Sequence, residues 1–275
     1  MRSLVSFALV LIAATPWGCS ADTNGVPSSS TDADAVTDAA AETTFPSTDS
    51  SSPAAEESAV YASTQTPLHV FDADTTAFAK VGDFDCKVAP TLGASQQGMA
   101  DIAANATGDL FGVGMLDYAK GTWAIVAIDA KTAHCTVIKA LSSGVTTPTT
   151  LTFLPKNVLG PDEVLVGVEL DGTYVRYDLA TAQRTVLGSI PFAWCKASDI
   201  VSVEGGETYV TGCAGPTPHI HAIDPKTGAD LRDIGSLASS ELAGGLGFWA
   251  GTIYAFLSPF WGAAVTTTAP LAPPK

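Results

Sequence analysis

Apolar and polar residues alternate with a period of two through most of this chain, in short runs broken by turn-forming residues. One run is a refrain: a few β-prone residues, Asp-x-x-Thr, then a second β-prone run. It reads Leu68-His69-Val70-Phe71-Asp72-Ala73-Asp74-Thr75 and returns at 125–132, 174–181 and 219–227. Its aspartates, Asp72, Asp129, Asp178 and Asp224, lie 57, 49 and 46 residues apart. A second refrain joins Met99-Ala100-Asp101-Ile102-Ala103 to 108–114 and recurs at 150–167, 199–212 and 245–256. Aligned on positions 101, 150, 199 and 245, its spacings are 49, 49 and 46. Two refrains that hold nearly one period predict an all-β fold, a β-propeller of four-stranded blades. The count is about four, or five if the segment after Leu257 builds more than one strand.

Each copy reads as a hairpin. Gly205-Gly206 suits a tight turn with positive φ, and Thr107-Gly108-Asp109 and Trp249-Ala250-Gly251 serve likewise. In the first refrain the Asp carboxylate can accept N–H bonds from its own turn, as in an Asx-turn. That local reading outweighs metal or substrate contact for these four residues. The repeats open on an Asp-x-x-Thr hairpin (68–84) and close on the other kind (245–256), followed by 263–268. The C-terminal strands are therefore expected to join the N-terminal hairpin in one blade, removing sheet edges and locking the ring. Loss of the tail would open it.

Composition divides the chain. Residues 20–63 are rich in Ser, Thr, Ala, Asp and Pro, with eight acids between Ser20 and Ala62 and no Lys or Arg. Such a stretch cannot bury enough apolar area to offset ordering and reads as a disordered tether. The propeller is expected at 64–270, with 271–275 as a tail. More than half of the net charge of −15 sits in the tether. Thirteen scattered Lys and Arg make no basic patch, which argues against nucleic acid.

Residues 1–19 read as an export signal: Arg2, then an apolar run from Leu4 to Ala14, shorter than the roughly 20 residues a bilayer span needs. The run ends in Pro16-Trp17-Gly18-Cys19, which resembles a bacterial lipoprotein box with Cys19 as the lipidated residue. Ordinary secretion with cleavage after Ala21 is the alternative. Ser20 after the cysteine favours the outer membrane or cell surface. Anchoring through Cys19 would be the chain's contact with the membrane.

The remaining cysteines are Cys86, Cys135, Cys195 and Cys213. In an exported protein disulfides are the default, with three connectivities open. Cys195 and Cys213 flank one hairpin and are expected to meet at its open end, leaving Cys86 with Cys135 across successive blades. No C-x-x-C, G-x-S-x-G, H-E-x-x-H or phosphate loop is present. Two pairs could hold a metal. His219 and His221, two apart on a strand, point to one face. Asp101 and Asp199 begin innermost strands and could share a cation at the channel, against the plainer reading that each caps its own strand. No other cofactor is expected. Phe248, Trp249, Phe260 and Trp261 read as core between blades, with a sugar-binding shelf as the sharper reading.

The segments 68–75, 84–86, 99–103, Ile223-Asp224-Pro225-Lys226-Thr227-Gly228 and 245–251 together resemble the propeller-repeat lipoproteins of myxobacteria. The Ile-Asp-Pro-x-Thr-Gly element is shared with quinoprotein-like and surface-layer propellers. The resemblance implies an envelope location and covers about 64–270 with the signal and tether. Quinoprotein dehydrogenases use adjacent cysteines, and this chain has no Cys-Cys pair. Two functions of different class follow as expectations. One is a non-catalytic, monomeric binding module that takes an envelope protein or glycan. The other is a propeller hydrolase, lactonase-like or glycan-acting, that uses a divalent metal at the channel.

Overall fold

Alternating runs become strands once both of their faces find a cover. The computed structural model of the chain describes residues 6–10, 59–86, 98–117, 121–141, 148–191, 199–213, 217–237 and 243–273, which hold strands and turns. β1 (Ser6–Val10) stands far upstream. Then come β2 (Val60–Ser63), β3 (Pro67–Asp72) and β4 (Ala77–Asp83). β5 (Met99–Ala104), β6 (Leu110–Asp117), β7 (Thr122–Ile128) and β8 (Cys135–Ala140) form the next group. β9 (Pro148–Leu154), β10 (Val164–Glu169), β11 (Thr173–Tyr177) and β12 (Arg184–Ser189) follow. β13 (Ile200–Ser202), β14 (Thr208–Cys213), β15 (Pro218–Ile223) and β16 (Asp230–Ser236) make the last full group. β17 (Gly245–Trp249), β18 (Thr252–Phe256) and β19 (Gly262–Val265) end the chain.

These strands make a β-propeller of four complete antiparallel blades. From the axis outwards they are β19-β2-β3-β4, β5-β6-β7-β8, β9-β10-β11-β12 and β13-β14-β15-β16. A fifth, incomplete sheet, β17-β18 with β1 on its outer side, stands between the last and first of them. Each innermost strand (β19, β5, β9, β13, β17) touches the innermost strand on either side, so the ring is closed. The closing blade forms as the order of the refrains requires. β19 pairs with β2, Gly262 opposite Ser63 and Val265 opposite Val60, and β2 pairs with β3. β2 lies just upstream of the expected boundary at 64. Val60 and Tyr61, inside the expected tether, belong to the propeller because the closing strand needs a partner.

Burial falls from axis to rim. β9, β13 and β19 are buried almost throughout, whereas β8 and β16 are mostly exposed. The inner strands therefore carry small and aliphatic residues and the outer ones carry charges. Each pairing of third and fourth strands slips in register, at Leu68/His69, Ile125/Val126, Tyr174/Val175 and, twice in the last blade, at Ile220/His221 and Ala222/Ile223. These bulges sharpen the twist of the outermost strand.

The Asp-x-x-Thr turns form as predicted. Asp72 Oδ1 accepts the amides of Asp74 and Thr75, and Asp129 Oδ1 those of Lys131 and Thr132. Asp178 takes Thr181 N–H and Asp224 takes Lys226 N–H. The turns also have an interblade role that the sequence did not reveal. A Cβ on Gly82 would collide with the carbonyl of Thr132 in the next blade, and one on Gly188 with that of Thr227. Glycine on the outer strand thus admits the neighbouring turn.

The incomplete blade leaves space that aromatic side chains fill. Phe71, Phe78, Tyr254, Phe256 and Phe260 form one cluster, with Phe78 stacked on Phe260 at 4.4 Å between centroids. Each such ring can bury about 150–250 Å², so a few of them fill a large gap. Of the four aromatic residues expected in the core, Phe248 and Phe260 are buried and Trp249 packs against the cluster. Trp261 is 53% exposed, because it stands on the connection outside the sheet.

Candidate functional site

The repeats differ most informatively where their inner strands begin. The aligned positions are Asp101, Thr150, Asp199 and Gly245, all in segments of otherwise similar pattern. Asp101 sits in β5 and Asp199 immediately before β13, both with no exposed surface. The structure brings these two carboxyl groups from separate blades into direct hydrogen-bonding contact. Small neighbours make the room: a Cβ on Gly262 would land on Asp101 Oδ1.

The pair gathers backbone donors from the whole ring. Asp101 Oδ1 accepts Ile102 N–H at 2.7 Å and Oδ2 accepts Leu151 N–H at 2.5 Å. Asp199 Oδ1 accepts Ile200 N–H at 2.6 Å, while Oδ2 accepts Leu246 N–H at 2.5 Å and Ala263 N–H at 3.1 Å. Those donors lie on β5, β9, β13, β17 and β19, one on every innermost strand. Two side chains therefore tie all blades together at the axis.

Electrostatics make the pair a shared-proton unit. Burial, and then the charge of Asp199, hold the Asp101 carboxyl well above the usual carboxylate range. Burial pushes Asp199 up to about 7, against the pull of the Leu246 amide, the hydrogen bond from Asp101 and the amides of Ile200 and Ala263. Two carboxyls in one dry site cannot both ionise cheaply, so one proton stays between them. The proton belongs to the pair. The plainer expectation, that each aspartate caps its own strand, is met by Ile102 and Ile200, but the bonds to the other blades go beyond it.

His219 and His221 do share a face of β15, with 6.1 Å between ring centroids. β16 supplies acidic partners that the sequence could not place: Asp233 Oδ2 lies 2.9 Å from His219 Nδ1, and Asp230 Oδ1 3.3 Å from His221 Nδ1. Each imidazole is engaged by its own carboxylate, on the third strand of a blade and away from the axis. The four candidate metal ligands thus fall into two separate pairs. Among the described residues no group of three or more His, Cys, Asp or Glu is arranged to hold a metal ion.

Cys86 and Cys135 are disulfide-bonded, with 5.1 Å between Cα atoms, and join the closing blade to the next. Beside them Asp85 accepts Cys135 N–H at 2.9 Å and pairs with His134 Nδ1 at 2.6 Å. Cys19, Cys195 and the side chain of Cys213 lie outside the described residues. Two further carboxylates escaped the sequence reading. Glu169, fully buried, holds Arg184 through both oxygens at 2.5 and 2.7 Å. Glu163 accepts Ala106 N–H and the Thr267 hydroxyl, fastening the segment after β19 across the far ends of the inner strands. Glu204 N–H bonds to Thr267 O there. A cleft of about 210 Å³ opens nearby between two blades, lined by Lys156, Glu204, Glu207 and Leu231 among others.

No family model and no curated protein sequence matches the chain. Solved structures do. An oligogalacturonate lyase in complex with manganese aligns at 14% identity over 66% of this chain and 51% of its own, TM-score 0.34. A structural-genomics protein of unknown function from Bacteroides thetaiotaomicron aligns at 12% over 68% and 52%, TM-score 0.41. An exo-β-1,3-galactanase from Phanerochaete chrysosporium aligns at 9% over 62% and 43%, TM-score 0.41. The chain spans about half the length of the first two. The propeller part of the resemblance drawn from sequence is present in the fold; no family match accompanies its lipoprotein part.

Proposed function

We propose that the protein is a non-catalytic binding module of the bacterial envelope, exported by residues 1–19, held by lipid on Cys19 and set off from the membrane by its tether. The observation that carries this reading is the commitment of the axial carboxyls. Their oxygens serve the amides of five inner strands and one another, so the polar groups of the channel maintain the ring. A rigid ring of this kind offers its connections to a partner, an envelope protein or a glycan. As a propeller hydrolase the same chain would need its axial carboxyls for a divalent ion.

Metal analysis of the purified full chain separates the two. The binding module is expected to carry no stoichiometric divalent ion after dialysis against a mixture of calcium, manganese and zinc. One bound ion per chain, lost in Asp101→Asn or Asp199→Asn, would establish the hydrolase reading instead. Globomycin is expected to block maturation at Cys19; processing indifferent to it would remove the anchor from the proposal.

A further inference from the structure

The four complete blades end in strands built to refuse another partner. β4 carries Lys80 and Asp83, β8 Lys139, β12 Arg184, and β16 Asp230, Arg232 and Asp233. Each also slips register against its inner neighbour. Charge and bulges are the devices by which sheet edges avoid adding a strand. β18 has neither. Its sequence, Thr252-Ile253-Tyr254-Ala255-Phe256, is uncharged, and its register with β17 is unbroken from Gly245 opposite Phe256 to Trp249 opposite Thr252. It is the outer strand of a hairpin that stops where the other blades continue for two more strands.

That edge is occupied in the structure. β1 runs parallel to it, Ser6 opposite Thr252 through Val10 opposite Phe256, without a break. The segment is uncharged and apolar apart from Ser6, and comes from a part of the chain remote from the propeller. Its pairing uses backbone bonds, which any extended segment can supply.

We propose that the outer edge of β18 is a strand-acceptor site. It takes one extended, uncharged, aliphatic segment in parallel, the chain's own residues 6–10. The proposal stands on the unbroken β18 edge and on the segment paired with it.

Hydrogen exchange on the full chain tests it. In the unaltered chain, alternate amides of 252–256 should be protected; in Phe7→Asp/Leu9→Asp they should exchange about tenfold faster or more, with β9 and β10 unchanged. A synthetic peptide of residues 4–12, made soluble by terminal lysines, should restore protection to the variant in a saturable way, and the same peptide with Ala8→Pro should not. Equal protection in both chains, or equal rescue by both peptides, overturns the proposal. If the double variant loosens β9 and β10 as well, Ala8→Pro in the full chain replaces it, disrupting the ladder without adding charge. Globomycin-insensitive processing with peptide rescue intact would defeat the anchor and leave the acceptor site standing.

Discussion

Six aspartates mark the repeats of this propeller, and the contrast between the two at the axis and the four at the rim explains most of its construction. Asp72, Asp129, Asp178 and Asp224 each bond within their own turn, in water. The first three are held below the ordinary carboxylate range, Asp72 and Asp129 chiefly by backbone N–H donation and Asp178 chiefly by the Thr181 hydroxyl. Asp101 and Asp199 accept amides too, yet are pushed upward, because burial outweighs the same kind of hydrogen bond. The rim residues shape a turn whose hydrogen bonds reach no further than three residues along the chain. The axial residues also bond the amide that follows them, but Leu151, Leu246 and Ala263 reach them only when the blades are assembled. Equal chemistry thus serves local structure in one place and closure in the other, and solvent access decides which.

The largest effect should come from emptying the axis. Asp199→Ala leaves the amides of Ile200, Leu246 and Ala263 without their acceptor. At about 1–3 kcal/mol for each buried group left unsatisfied, urea unfolding should show a loss of about 3 kcal/mol or more, or no cooperative transition at all. A loss no larger than that of a rim substitution would abolish the contrast. Next comes the covalent tie: Cys86→Ser/Cys135→Ser should cost about 3–4 kcal/mol, since the bond closes a long loop between blades. Unfolding with and without reductant checks it, and the unaltered chain under reductant should match the variant.

Asp101→Asn should cost less than Asp199→Ala. Its amide can still donate to Asp199, though it keeps a single oxygen for Ile102 and Leu151. It should also flatten the pH profile, on which axis and rim have opposite signs. At the axis the folded-state values are raised, so the unfolded chain releases its protons first. The stability contributed there is complete below about pH 4 and is lost as pH climbs through about 7. At the rim the values are depressed, so the contribution is present above about pH 4 and disappears as pH falls. Exposure screens the rim term. Melting temperature should therefore fall from pH 5 to 8 in the unaltered chain, and much less in Asp101→Asn. The smallest change belongs to Asp178→Ala, whose transition should shift less than that of any axial variant. A shift as large as that of Asp101→Asn would mean that the turn's docking on its neighbour matters more than its exposure implies.

Much of this was readable in the chain. The turn hydrogen bonds of Asp72 or Asp178 span three residues or fewer, so residue type and spacing are enough to predict them. The pairing of Cys86 with Cys135 was what remained once Cys195 and Cys213 were set at the open end of one hairpin. The sequence already set Asp101 beside Asp199 at the channel, as a pair that could share a cation, but not their bonds to the ring, since Leu151, Leu246 and Ala263 show no side-chain signal for bonds made by the backbone. Asp230 and Asp233 lay close in sequence to His219 and His221, but which face of β16 they share depends on a bulge. Val60 to Ser63 looked like tether because a strand of small and mixed residues has no pattern of its own until β19 lies beside it.

What the sequence by itself determined is the period, the hairpins and the chemistry of their turns, because those interactions close over a few residues and compete with little else. The tertiary structure decided that the ring is completed by an incomplete blade, that aromatic side chains fill what that blade lacks, and that two carboxyls share a proton where five strands meet. Each of those depends on contacts between segments some fifty or more residues apart. Burial then reverses the behaviour of a carboxyl group that its sequence alone would leave ionised.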